Sequence, residues 1–194
     1  MKTILSIILL FTAIACNQQN VPIKQDAIDL SNDIELIDEG SKIATATFKE
    51  LSSVLKSKMK EGGVHEAISY CNLRAYSLVD SISKANNATI KRVSFKYRNP
   101  ANQPDSLETV VLNTYQQAID INQEAKPMVI SEGSKEFYFA PILTKGFCLA
   151  CHGTPGKHIS DVDYTFIKEK YPNDKAINFK SNDLRGIWSI SFNQ

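Results

Sequence analysis

An excess of charge of either sign is missing from this sequence: Lys and Arg number 22 against 21 Asp and Glu, for a formal charge of +1. Binding a polyphosphate backbone takes a basic excess or a basic run. Neither is present, which excludes nucleic-acid binding from the reading. Gly (8) and Pro (7) are sparse among 194 residues, and 43% of the chain is apolar. That excludes collagen and a disordered chain and leaves a single globular domain of ordinary composition. After residue 15 no apolar run approaches the roughly 20 residues of a membrane span. No methionine follows Met128, and there are only 3 histidines.

The one strongly apolar run comes first. Lys2 supplies a positive charge, Ile4 to Ile14 is too short to span a bilayer with margin, and Ala13-Ile14-Ala15-Cys16 puts small residues before a cysteine. This resembles a lipoprotein signal peptide over residues 1–15, with Ala13 where leucine is usual. It implies cleavage before Cys16 and lipidation of that thiol; an uncleaved anchor or a plain secretory signal is the alternative. Losing Lys2 with the leader leaves the mature chain neutral. The expectation is an exported bacterial lipoprotein facing the periplasm, tethered to the membrane by acyl chains, with residues 16–32 as the tether and 33–194 as the folded domain.

Four cysteines in an exported protein would ordinarily suggest two disulfides. Here Cys16 is taken by the lipid, and Cys148-Leu149-Ala150-Cys151-His152 is a C-x-x-C-H, the attachment pattern of c-type haem. Two thiols at this spacing can add across the two vinyl groups of one porphyrin, each S–H giving an S–C bond and a C–H bond. The adjacent histidine is thereby held over the iron. One motif means one covalent haem c, attached in the compartment that the leader implies. Other uses of the thiols are a zinc site from Cys148, Cys151 and His158 with Cys71, which lacks a second close pair; a thioredoxin-like redox pair, expected at a helix start in a βαβ unit; and a simple Cys148–Cys151 disulfide.

Apolar spacing places these groups. Ile34, Ile37, Ala44, Phe48, Leu51, Leu55 and Met59 recur at helical intervals and predict a helix from about Asp33 to Lys60, ended by Gly62-Gly63. Val64, Ala67, Ile68, Cys71, Ala75, Leu78 and Ile82 predict a second helix to about Lys84, with Cys71 in mid-stripe. A free cysteine there is by itself more often a small core hydrophobe than a ligand. Thr89 to Arg98 alternates as a strand and leads into the turn-rich Asn99 to Pro104. Ser106 is the expected cap of a helix ending near Lys126. Met128 to Ser131 and Phe137 to Leu143 predict a hairpin that delivers the chain to the haem motif. A short helix from Asp161 to Tyr171 and a strand from Ile187 to Phe192 complete an α+β order. A small helical electron-transfer cytochrome is excluded, since it carries its motif early and a methionine ligand downstream.

Ala67-Ile68-x-x-Cys71, Arg92-x-Ser94, Arg98-Asn99-Pro100-x-Asn102-x-Pro104, Pro141-Ile142, Cys148-x-x-Cys151-His152-Gly153, Tyr171-Pro172-x-Asp174-x-Ala176 and Arg185-Gly186 follow one another in an order that resembles the Tll-type c-type haem domain family. The resemblance covers about Ala44 to Phe192. It implies a PAS-like antiparallel sheet with flanking helices, one covalent haem, and axial ligation by the motif histidine and a distant cysteine, which here are His152 and Cys71. Asn178 and Asn182 stand where glycines are expected, and Asn tolerates the left-handed conformation better than most residues. Competing sixth ligands are His65, expected as a solvated first-turn histidine, His158, six residues from His152, and Met59 and Met128, expected in the core.

Haem propionates are anionic, and Arg92, Arg98 and Arg185 can each offer one a bidentate guanidinium; the alternative is solvated strand-edge charge. Asn99 and Asn102 read as turn formers. Function then divides three ways. A haem sensor would use a labile thiolate ligand, displaced by a gaseous ligand or lost on reduction. An electron carrier would keep both ligands and work with a redox partner protein. An enzyme would need an open iron position and a distal acid or base, and none is evident. The sensor is preferred and the periplasmic electron-transfer cytochrome is the alternative. If the leader is read correctly, the mature protein fractionates with membranes, and Cys16→Ser either releases it or leaves it unprocessed. Identical fractionation of variant and parent, with no lipid on either, contradicts the reading.

Overall fold

The computed structural model describes residues 30–193. The leader, Cys16 and most of the tether lie outside the described residues. Among those residues no helix is long and apolar enough to cross a membrane. The elements run α1 (Leu30–Leu73), α2 (Ala75–Ala85), β1 (Ala88–Val93), α3 (Ser106–Asp120), β2 (Met128–Glu132), β3 (Lys135–Leu143), α4 (Leu149–His152), α5 (Asp161–Lys170) and β4 (Leu184–Phe192). The four strands form one antiparallel sheet in the order β1-β4-β3-β2. The α+β class expected from the element order is the class observed.

Strand periodicity gives the sheet two apolar faces. On one, Ile90, Tyr138, Trp188 and Ile190 meet Ile43, Ala44 and Leu51 of α1 and Ala75 and Val79 of α2. On the other, Val93, Phe139 and Ile187 pack against Val111, Leu112 and Tyr115 of α3. A smaller cluster of Ile68, Ile159, Ile167 and Tyr171 fastens α5 beside the second half of α1.

The predicted break at Gly62-Gly63 is present as a kink: Gly62 sits at φ −152°, ψ 24° and Gly63 at φ 65°, ψ −150°, after which α1 resumes to Leu73. The expected second helix is divided again at Arg74 (φ −124°). This turn lets Ile68 face the α5 cluster while Ala75 and Val79 face the sheet. Four boundaries differ most from expectation. β1 stops at Val93, because Ser94 N–H donates to Asn102 O and draws the chain into the next turn. The cap of α3 is Asp105, not Ser106: Asp105 accepts from Glu108 N–H while Glu108 accepts from Asp105 N–H, a reciprocal capping box. That helix ends at Asp120 instead of Lys126, with Asn122 at φ 56°. β4 starts three residues early, at Leu184.

The approach of α1 to the sheet is set at Gly40, where an added Cβ would lie 2.2 Å from Cγ of Tyr138. Tyr138 is buried, and its hydroxyl is 3.0 Å from Ser41 Oγ. Gly40→Ala is expected to cost about 1–3 kcal/mol through overpacking, read as a lower urea midpoint at unchanged slope. An unchanged midpoint contradicts this packing.

Candidate haem-type cavity

β3 ends at Leu143 and hands the chain to a 3-10 turn, Gly146–Cys148, that runs straight into the single turn of α4. The motif is thus wound into about two tight turns, with Cys148, Cys151 and His152 turned into one cavity of about 550 Å³. Cys71, Arg92, Arg98 and Arg185 line the same cavity. Residues from the end of α1, from β1 and its following loop, from α4 and from β4 are therefore brought together across more than a hundred positions of sequence. Most of the remaining wall is apolar, including Leu51, Leu55, Met59, Ile68, Ile142 and Trp188.

The loop from Pro172 to Asp183 clamps the motif. Phe179 N–H donates to His152 O and Asn178 N–H to Gly153 O, both at 3.0 Å. Asn178 and Asn182 hold φ 61° and 70°, the left-handed conformation expected of glycines there. Thr144, buried, donates its hydroxyl to Lys180 O, and its backbone N–H reaches Asp183 O. Gly153 is fixed by contact: a Cβ would stand 2.5 Å from Cβ of His158.

His152 Nδ1 lies 2.8 Å from Ala176 O. A carbonyl only accepts, so Nδ1 carries the proton and Nε2 keeps its lone pair. Burial holds His152 well below the usual 6.5, and Arg185, Arg98 and Arg92 oppose the imidazolium further. The ring is neutral and ready to bind a metal through Nε2. Burial raises the thiol of Cys71, against the opposing pull of Arg92 and Arg98. It pushes Cys151 up to about 11. All three thiols in the described residues are free in this structure. No group of three or more His, Cys, Asp or Glu there is placed to hold a metal, which removes support from the zinc reading.

The arginines differ. Arg98 is buried, donating through Nη2 to Cys151 O at 2.6 Å, Asp174 Oδ2 at 3.1 Å and Ala176 O at 3.3 Å, while its Nε finds no partner. Arg92 lies 5.9 Å from the Trp188 ring. Arg185 donates to Lys96 O at 3.2 Å and lies 5.3 Å from the Phe179 ring. Among the described residues neither Arg92 nor Arg185 has a carboxylate partner. Burial, with Arg98 and Arg92 nearby, lowers Arg185 to about 9, so it is still a cation at neutral pH.

The competing residues fall elsewhere, with one exception. His65 is partly exposed, as expected, but not free: its ring stacks on Phe166 at 4.2 Å and Nε2 is 3.4 Å from Asp163, tying α1 to α5. His158 accepts from Thr154 N–H within its own loop. Met128 packs with the α3 face of the sheet, but Met59, expected in the core, is in the cavity wall. Asn99 accepts from Ala101 N–H as a turn former. Asn102 instead accepts from the Tyr76 hydroxyl at 3.0 Å. Asp174 and the carbonyl of Ala176 were not assigned a role from sequence. The motif Tyr171-Pro172-x-Asp174-x-Ala176 contained them, but Asp174 stands between Asn173 and Lys175, so nothing local marked it as buried.

Comparison with known proteins agrees with this layout. The model of the Tll0287-like family matches residues 32–193. A solved structure, described as the crystal structure of the cyanobacterial heme-protein Tll0287, superposes with a TM-score of 0.60 at 26% identity, covering 81% of this chain and 96% of that one. No curated protein matches the chain.

The side chain of Asp174 is wholly buried against Arg98. Asp174→Ala is therefore expected to cost about 3–5 kcal/mol, because it strands a buried guanidinium. Urea unfolding checks it, and a loss below about 1 kcal/mol contradicts the clamp.

Proposed function

Because this chain belongs to the Tll0287-like family, we propose that its cavity holds one covalent c-type haem with His152 and Cys71 as axial ligands. We propose further that the protein is an exported, lipid-anchored module that senses redox state or a small gaseous ligand. The observation that carries the reading is convergence: paired thiols, a neutral histidine, a distant cysteine and guanidinium groups without carboxylates meet in one apolar cavity.

The residues fit the group. A cavity of about 550 Å³ is within the range of cofactor pockets. Arg92 and Arg185, together with the unpartnered Nε of Arg98, are suited to a dianionic ligand that is otherwise apolar. Cys148 and Cys151 supply the thioether sulfurs. When bound, the haem supplies a one-electron redox centre with two axial positions.

The chain's own residues then divide the work. His152 is the constant ligand: Ala176 fixes its tautomer and the Pro172–Asp183 loop fixes its backbone. Cys71 is the conditional one. Its burial favours the neutral thiol, so it holds as a thiolate only where positive charge faces it. With an iron centre bound, Cys71 would be the residue that exchanges a proton for a bond to the metal, because its burial already favours the neutral thiol. Cys71 sits between the kink at Gly62-Gly63 and the break at Arg74, so its movement would be carried into α1. Electron transfer is the second reading, favoured by the exposed Phe147 beside Cys148 at the cavity mouth.

Haem is expected to stay with the protein through denaturing electrophoresis and acid-acetone extraction, and complete extraction contradicts covalent attachment. Cys71→Ala is expected to keep the haem but lose the low-spin ferric thiolate spectrum, whereas His65→Ala and His158→Ala leave it unchanged. An unaltered ferric spectrum in Cys71→Ala removes Cys71 as ligand. A ferrous protein that ignores carbon monoxide moves the function to electron transfer.

A further inference from the structure

The cavity wall holds no Asp or Glu, although the chain as a whole is balanced in charge. Its cations lie at two depths. Arg92, Arg98 and Arg185 are inside, where an anionic cofactor would meet them. Lys56, Lys60 and Lys145 are exposed, line the mouth, and form no ion pair among the described residues. By contrast, Lys58, on the same helix but outside the cavity wall, pairs with Glu61 and Glu66.

Apolar side chains share this mouth. Phe48, Leu143 and Phe147 line it and are 44%, 37% and 49% exposed. Lys56 Nζ lies 5.5 Å from the Phe147 ring, so the charge and the ring form one surface. Phe147 directly precedes Cys148. An apolar centre bordered by unpaired charge of one sign is the pattern of a transient protein interface, in which charge steers the encounter and the apolar centre is buried.

We propose that the mouth of this cavity is the docking surface for a protein partner that presents carboxylates around an apolar centre. Charge complementarity selects the partner: three unpaired lysines without a nearby cavity-wall acid attract carboxylates. A flat anionic bilayer is the less suited occupant, because the mouth is concave. The surface stands on the residues themselves; its use for bringing a partner's redox group near the cofactor rests on the haem reading above.

The test uses the full-length protein and a small acidic blue-copper protein in its reduced state, with binding followed by titration calorimetry. The expected result is saturable binding that weakens about tenfold or more between low salt and roughly 0.2 M. Reversing the mouth charges together (Lys56→Glu, Lys60→Glu, Lys145→Glu) is expected to abolish it. Reversing exposed lysines outside the cavity wall (Lys84→Glu, Lys135→Glu, Lys157→Glu) changes net charge equally and is expected to leave binding within about threefold. The visible spectrum of each sample reports haem separately, so failure of the cofactor reading and failure of docking are read apart. Absent binding, or equal loss in both triple variants, overturns the proposal. So does a mouth variant that loses phosphatidylglycerol-vesicle association while still binding the blue-copper protein.

Discussion

The clamp around Arg98 is the constraint on which the site depends. One guanidinium nitrogen joins Cys151 O, the buried carboxylate of Asp174 and Ala176 O, and that last carbonyl also takes the proton of His152 Nδ1. The loop after β1, the haem-type motif and the loop after α5 are thereby joined at one point. A buried charge is tolerable only if paired and hydrogen-bonded, so the three segments are constrained to meet. The conformation of His152 follows from that meeting.

Another part of the cavity wall is built from α1. Cys71 sits in a short stretch of α1 bounded by two backbone interruptions, Gly62-Gly63 and Arg74. His65, in the same stretch, is tied to Asp163 and Phe166 of α5. Of the two proposed ligands, His152 is therefore carried by a hydrogen-bonded loop clamp and Cys71 by a helix segment with its own ends. This asymmetry is what a responsive site requires, because one side can move while the other keeps its geometry.

Much of this was legible in the residues. The C-x-x-C-H pointed to two thiols and a histidine as one group, and the structure turns all three into one cavity. Apolar periodicity located the helices, and Asn178 and Asn182 adopt the left-handed backbone that their positions required. Less legible were features decided by tertiary partners. Asp105 outcompeted Ser106 as cap because Glu108 could reciprocate. β1 ended early because Asn102 O captured Ser94 N–H. His65 looked solvent-facing on its own helix, and only the packing of α5 gave it a partner. Arg98 read as a surface or cofactor-facing charge because Asp174, 76 positions away, could not be paired with it from sequence.

The central claim is that an imidazole from the clamped motif and a thiolate from α1 face one iron across the cavity. X-ray absorption at the iron edge of the ferric protein tests it most directly, because it reads the atoms bound to the metal and needs no variant. The account predicts one sulfur neighbour among the nitrogens. A shell of nitrogen and oxygen alone would contradict it.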